Sequence, residues 1–179
     1  MNNQIYNLEN KQLSTQWVEE LAIEEINMEE SGVIGFNNHL NPLHLLEESS
    51  LEFMEALRDR FELYVSKFNL LRGQKDNTNS IKIFKISNTV NDFMLFRNAL
   101  KLVVARKSPE VINIAFLSNA GGMFSARLTF DAPAVNQAHE LRAHVGPFNN
   151  ITWRFHNEPV DIDQLVKHYL IEFIKHSAR

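Results

Sequence analysis

Apolar positions are dense over residues 89–107, and they fall on almost every side of a helical projection of this segment. Arg97 and Lys101 lie on its narrow polar edge. Thr89 is a suitable N-cap, and Pro109 is a suitable stop. Because a helix that is apolar nearly all round is buried on most sides, the pattern predicts a central buried helix here.

A strand-like pattern flanks that segment on both sides. It covers residues 81–86 before it and residues 111–117 after it. Residues 118–122 read Ser-Asn-Ala-Gly-Gly, which is a typical composition for a hairpin turn. Residues 123–130 then alternate again, so they are predicted to return as a third strand.

A further helix and a fourth strand complete this half of the chain. Asp131 and Pro133 are typical of a helix start, and Gly146 is typical of a stop, so residues 131–145 are predicted to be helical. Residues 151–155 alternate as a strand. The order β-α-β-β-α-β is that of a ferredoxin-like two-layer α+β sandwich. The predicted core residues are Phe93, Leu100, Phe116, Leu128 and Trp153.

Helical spacing of apolar residues predicts three more helices. An extra C-terminal helix, capped by Asp161, has a broad apolar face that is expected to cover the free face of the sheet. Two helices form the N-terminal part, the first starting after Ser14 and the second opened by a capping box of Ser49 and Glu52. Residues 31–46 between them are predicted to be a packed loop. The second helix has a heptad-like apolar stripe that fits packing on the core, and self-association through it stays open.

The charge distribution divides the chain at a polar linker over residues 75–80. Residues 1–79 carry 14 acidic and 6 basic side chains, a net charge of −8, with six of the twelve glutamates in the first helix. Residues 80–179 carry 8 acidic and 12 basic side chains, a net charge of +4. We therefore predict an acidic helical extension and an α+β domain that together form one compact structural unit.

The amino-acid composition excludes several kinds of functional site. With 44% apolar and 22% charged residues over 179 positions, the chain has an ordinary globular composition. It has no cysteine, which excludes disulfides, thiolate catalysis and cysteine-ligated metals. Residues 1–4 lack the basic region and apolar core of a signal peptide, and no segment has the length and apolarity to span a membrane. The expected location is the cytoplasm.

Two histidine pairs resemble metal-binding motifs without matching them. His139 and His144 are five residues apart, whereas a zincin helix needs a spacing of four. In a helix they would lie about 140° apart and could not share one ion. His39 and His44 repeat the spacing with no evident third ligand. We therefore predict no metal site and no cofactor.

Signatures of catalysis and of nucleic-acid binding are weak. Neither Ser118 nor Ser125 lies in a nucleophile elbow, and the adjacent glycines Gly121 and Gly122 lack the lysine of a phosphate loop. RNA-recognition domains share the β-α-β-β-α-β order, but they display stacking aromatics on the exposed sheet face. Here Phe124 is expected to face the core, and the net charge is −4. Nucleic-acid binding is therefore not expected.

Two functional hypotheses remain. The favoured one is a non-enzymatic protein-interaction or regulatory module that self-associates as a homo-oligomer or binds another protein, without a membrane or nucleic-acid partner. The alternative is a small-ligand-binding protein or an enzyme that uses polar groups on the sheet face or in the 118–122 turn.

For the favoured function, the alternation predicts a basic stripe across the sheet face that the domain's own two helices leave free. The predicted binding residues are Arg127, Arg154, His156 and either Lys82 or Lys85, depending on the register of the first strand. This stripe is expected to face the glutamate-rich first helix or an acidic partner surface.

Overall fold

The computed structural model describes residues 15–32, 41–73, 79–129 and 135–178. In these ranges the helices are α1 (Gln16–Ser31), α2 (Pro42–Arg72) and α3 (Ile162–Ser177). The strands are β1 (Lys82–Lys85), β2 (Phe93–Arg97), β3 (Leu100–Ser108), β4 (Val111–Ser118), β5 (Met123–Phe124), β6 (His139–Val145), β7 (Ile151–Phe155) and β8 (Glu158–Pro159). The chain divides into two compact units, one that contains α1 and one that begins at Asn41.

The strands form one antiparallel sheet in the order β1-β2-β3-β4-β6-β7-β8, with β5 also paired to β4. Both β5 and β6 pair with β4, since Phe116 lies opposite Phe124 and Ile114 lies opposite His139. The chain therefore leaves the sheet after Phe124 and rejoins it at His139. An α+β fold is confirmed, but this strand order does not confirm the ferredoxin-like arrangement.

The predicted central helix over residues 89–107 is wrong, because this segment forms the hairpin of β2 and β3. Phe93 and Leu95 are buried while Met94 between them is only partly buried, which is the period-two pattern of a strand. Asn98 makes the turn with a left-handed φ of 55°. Dense apolar composition suits a buried helix and a buried hairpin equally, so composition alone was not decisive.

The second predicted helix is also wrong wherever the structure describes it. Residues 131–134 lie outside the described ranges, and His139–Val145 is the strand β6. The backbone of β6 is paired with β4 along its first part and with β7 along its second part, which outweighs any helical preference. The predicted strand over residues 123–130 is shorter than expected, because β5 ends at Phe124.

Other elements agree with those predicted from the sequence. The segments predicted as the first, second and fourth strands are β1, β4 and β7, and Gly121 has a φ of 82° in the predicted 118–122 turn. The predicted cap of α3 is present, since the Gln164 amide donates to Asp161 Oδ1 at 2.8 Å. The helix α2 begins before Ser49, at Pro42, with Asn41 as its cap. The predicted loop over residues 31–46 is therefore helical at its end.

Both α2 and α3 pack on the same side of the sheet, which we call the inner face. The ring of Phe61 in α2 lies 5.9 Å from that of Phe93, and the ring of Phe173 in α3 lies 6.5 Å from that of Phe116. Of the predicted core residues, Phe93, Leu100, Phe116 and Trp153 are buried, whereas Leu128 is 55% exposed. Leu128 misses the core because it follows the end of β5.

Polar contacts anchor the first part of α2, which sequence analysis assigned to the extension, on the inner face. Arg106 donates to Ser50 Oγ at 2.8 Å and to Glu47 Oε1 at 2.7 Å. The hydrogen bond from Arg106 holds the pKa of Glu47 below its ordinary value. The indole of Trp153 donates to Ser49 Oγ at 3.2 Å. Among the described helices, none is long and apolar enough to cross a membrane.

Candidate functional site: the outer face of the sheet

The outer face is the side of the sheet opposite α2 and α3, so neither of these helices covers it. Its centre is apolar and crosses β1 to β5. It consists of Phe84, Met94, Phe96, Val103, Ala115, Leu117 and Met123. Phe84 and Met123 are 42% and 45% exposed. The apolar area of these two residues is available to a partner surface, whereas Ala115 in the middle of the set is buried.

One end of the outer face carries a group of charged side chains on neighbouring strands, which we call the arginine corner: Lys107, Glu140, Arg142, His144 and Arg154. Arg142 and Arg154 lie directly opposite each other in the β6–β7 pairing. Side chains at such positions are about 5 Å apart at Cβ, and like charges there destabilise the pair.

One carboxylate, that of Glu140, forms ion pairs with two of the cationic side chains of the arginine corner. Glu140 Oε2 lies 2.5 Å from Arg142 Nη2, and its Oε1 lies 3.2 Å from Lys107 Nζ. Hydrogen bonds from Lys107 and Arg142 hold the pKa of Glu140 below its ordinary value. Arg154 donates to Thr152 Oγ1 at 3.3 Å, and no carboxylate of the described ranges forms an ion pair with it. The corner therefore has excess positive charge.

A cleft of about 850 Å³ opens beside the arginine corner. Two arginines outnumber one carboxylate in its lining, which includes Arg142, Arg154, Glu140, His144 and His156. Guanidinium groups present several donors in a plane and bind carboxylates through paired hydrogen bonds. The cleft therefore suits an acidic side chain better than a cationic or purely apolar one.

The residues predicted from sequence are only partly brought together. Arg154 lies on the outer face, and His156 follows in the turn after β7 and lines the same cleft. Lys82, opposite Phe96, is also on the outer face but at the other end of the sheet. Whether they bind a partner stays a prediction.

Two of the predicted residues lie elsewhere. Lys85 lies opposite the buried Phe93 and so on the inner side of the edge strand. Arg127 follows β5, and its carbonyl oxygen accepts a hydrogen bond from His168 Nε2 of α3 at 2.6 Å. Arg127 is therefore placed beside α3 and not in the expected basic stripe.

Sequence analysis missed Arg142, Lys107 and Lys101, which also lie on the outer face. Arg142 was assigned to one predicted helix, Lys101 to the polar edge of another, and Lys107 to the end of that second helix. The sequence does contain a pattern that indicates a strand here. In residues 139–145, Glu140, Arg142 and His144 alternate with less polar positions, which places the three side chains on one face.

The two histidines of β6 lie on opposite faces of the sheet, because five residues is an odd spacing in a strand. They cannot bind one ion together. Of the other pair, His39 lies outside the described ranges, and His44 of α2 is 3.1 Å from Glu48. Within the described part of the chain, no cluster of three or more histidine, aspartate or glutamate side chains is arranged to hold a metal.

On the inner face, His139 forms a buried hydrogen bond through Nδ1 with the hydroxyl of Tyr169. Burial lowers the pKa of His139 to about 4, with smaller contributions from the charges of His156 and His168. Burial also raises the pKa of the Tyr169 hydroxyl. Both groups are therefore neutral near neutral pH. A mostly apolar cavity of about 220 Å³ adjoins this pair and is lined partly by Leu141, Phe155 and Leu165.

The 118–122 turn uses its polar groups internally. The Gly121 amide donates to the Ser118 carbonyl, and the Ser118 amide donates to the Gly122 carbonyl, each at 3.0 Å. The Ser118 hydroxyl also lies within hydrogen-bond distance of the Gly122 carbonyl, at 3.4 Å. These contacts stabilise the hairpin and offer no activated nucleophile.

No protein-family model, curated protein or solved structure matches this chain. Its function has therefore to be inferred from the chemistry of the outer face.

Proposed function

We propose that this chain is a non-enzymatic protein-interaction module that self-associates, and that the outer face is its binding surface. The observation that carries the proposal is the pairing of Arg142 with Arg154 on the same face as an apolar centre in which Phe84 and Met123 are exposed. Two guanidinium groups held opposite each other repel, and a partner carboxylate placed between them would remove that repulsion.

The apolar centre and the arginine corner would contribute differently to binding. Burial of apolar surface stabilises a complex by about 25 cal/mol per Å², so Phe84, Met123 and their neighbours would supply most of the affinity. Exposed ion pairs contribute only about 0–1 kcal/mol each. Charges such as Arg154 would instead set the orientation of the partner and accelerate its approach.

The test is the solution mass of wild-type protein, measured by light scattering from low to high micromolar concentration. We expect a reversible homo-oligomer. Phe84→Asp places a charge in the apolar centre and should weaken the association at least about tenfold. Leu63→Asp is a matched control, because Leu63 is 64% exposed on α2, which packs on the inner face.

A monomer at the highest concentration would refute the self-association. Loss of the oligomer in Leu63→Asp with full retention in Phe84→Asp would move the interface away from the outer face.

A second candidate function is binding of a small apolar ligand, which the cavity of about 220 Å³ beside His139 favours. Its walls are mainly apolar, with His139 and Tyr169 as polar groups, which is a common composition for ligand sites. We expect small aromatic probes to show saturable binding in ligand-observed NMR. Leu128→Trp should block it at the exposed edge of the cavity, and Leu63→Trp should not. Equal signals from the two variants would contradict this function.

A further inference from the structure

The helix α1 has an unusual charge pattern for a helix of its length. Its 16 residues include six glutamates and no lysine or arginine. Glu25 and Glu29 are four residues apart, where like charges repel. Glu29 and Glu30 stand in the last turn, where the helix dipole favours cations and α1 has none of its own. The helix would therefore be stabilised by cationic groups supplied from another surface.

Apolar side chains of α1 also lack burial. Trp17, Val18, Ile23 and Ile26 are between 47% and 59% exposed, and none of the residues of α1 is buried. An isolated helix of this length is marginal in water, and most helices in proteins are stabilised by packing. The helix thus combines exposed apolar groups with excess negative charge.

The rest of the chain has the complementary charge. Residues 1–40 carry 7 acidic and 1 basic side chain, a net charge of −6. Residues 41–179 carry 15 acidic and 17 basic side chains, a net charge of +2. On the outer face, Lys82 lies at one end of the sheet and Arg142 and Arg154 lie at the other.

The dimensions of the helix and of the face also agree. A helix of 16 residues is about 24 Å long at 1.5 Å per residue. The outer face spans six strands from β1 to β7, which is also about 24 Å at 4.8 Å per strand spacing. A helix lying across the strands would therefore extend from β1 to β7. Lys82 and Arg154 are also offset along β4, from Leu117 to Val111, by about 20 Å at 3.3 Å per residue, so a helix that reaches Arg154 passes over the apolar centre and ends short of Lys82.

We propose that the segment that binds the outer face is α1 of a second copy of this chain. This inference rests on the proposed function, because it names the partner of the same surface. If each of two copies places α1 on the outer face of the other, two identical contacts form around a two-fold axis and the assembly closes as a dimer. The glutamates of α1 would then meet Arg142 and Arg154.

The experiment is a charge exchange between full-length chains. The α1 variant carries Glu25→Lys and Glu29→Lys, and the face variant carries Arg142→Glu and Arg154→Glu. Each variant alone should dimerise at least about tenfold more weakly than wild type, because like charges then meet in both contacts. An equimolar mixture should regain the dimer, since each α1 then meets an outer face of opposite charge.

Two matched controls reverse the same number of charges elsewhere. Glu52→Lys with Glu55→Lys changes exposed glutamates of α2, and Lys67→Glu with Lys167→Glu changes exposed lysines of α2 and α3. Both controls should dimerise like wild type. Unchanged thermal unfolding of each variant at low concentration would show that the altered chains are folded.

The possible failures are distinguishable. A monomeric wild type would refute the proposed function as well. An α1 variant that dimerises like wild type, while Phe84→Asp still weakens the dimer, would refute only the role of α1. A mixture that stays monomeric would refute direct pairing of the two charge sets. One chain that carries all four changes should dimerise like wild type. If this chain is instead a stably folded monomer, the contact between α1 and the outer face lies within one copy, and the inference is overturned.

Discussion

Replacing Phe116 by alanine should lower the free energy of unfolding by about 3–5 kcal/mol. Phe116 is fully buried in β4. Its ring centroid lies 5.1 Å from that of Phe124, 5.8 Å from that of Tyr169 and 6.5 Å from that of Phe173. The substitution removes apolar area and leaves a cavity that a close-packed centre cannot fill. Urea denaturation measures the loss.

The matched control is Leu128→Ala, at a residue that is 55% exposed and that sequence analysis placed in the core. It should change the free energy of unfolding by less than about 1 kcal/mol. If Phe116→Ala leaves too little folded protein to measure, Phe116→Leu should give a smaller loss of about 1–1.5 kcal/mol. Similar effects of the core substitution and of Leu128→Ala would show that β4 is not at the centre of the core.

Acidification should destabilise the protein through His139. Its pKa in the folded state is lowered to about 4 from an ordinary value of 6.5. Between these two pH values the unfolded chain binds a proton at this residue and the folded chain does not, so stability falls as the pH is lowered and this contribution levels off below the folded-state pKa. Allowing for partial solvent screening, the loss is about 2 kcal/mol.

Denaturation curves recorded over a series of pH values measure this effect. In His139→Gln, the part of the stability loss between pH 6.5 and 4 that is due to this residue should be absent. The stability of this variant at neutral pH also changes. His144→Gln is the control, because His144 is an exposed residue of the same strand. An identical pH dependence in wild type and His139→Gln would mean that the imidazole is accessible to protons in the folded state.

The sequence predicted elements well where a local signal had only one interpretation. Asp161 caps α3 as expected because its side chain can satisfy the Gln164 amide whatever the helix packs against. The short apolar run of residues 111–117, between the link at Pro109 and the 118–122 turn, led to β4 for a similar reason. The hairpin of β2 and β3 was missed because a dense apolar run suits both a buried helix and a pair of strands. Only pairing with distant strands decides between them.

The candidate site was predicted in part for the same reason. Arg154 lies on the sheet face opposite the buried Trp153, as the alternation of residues 151–155 indicated, because alternation fixes which side each residue of a strand occupies. Arg142 was missed, since its significance depends on lying opposite Arg154 across two strands. Arg127 was misplaced because the departure of the chain from the sheet after Phe124 has no clear signal in the alternating residues that follow.

The departure of the chain from the sheet between Phe124 and His139 provides a position where residues can be inserted, in evolution or by engineering. Phe124 and His139 are each held in register by β4, and the Ser125 amide donates to the Val135 carbonyl at 2.9 Å where the excursion begins and ends. The number of residues between Thr129 and Val135 therefore has no effect on the register of either strand. Lengthening a chain segment whose two ends are held together adds only slowly to the entropy cost of closing it. An epitope or a fluorescent domain inserted there would label the protein while the outer face keeps its geometry.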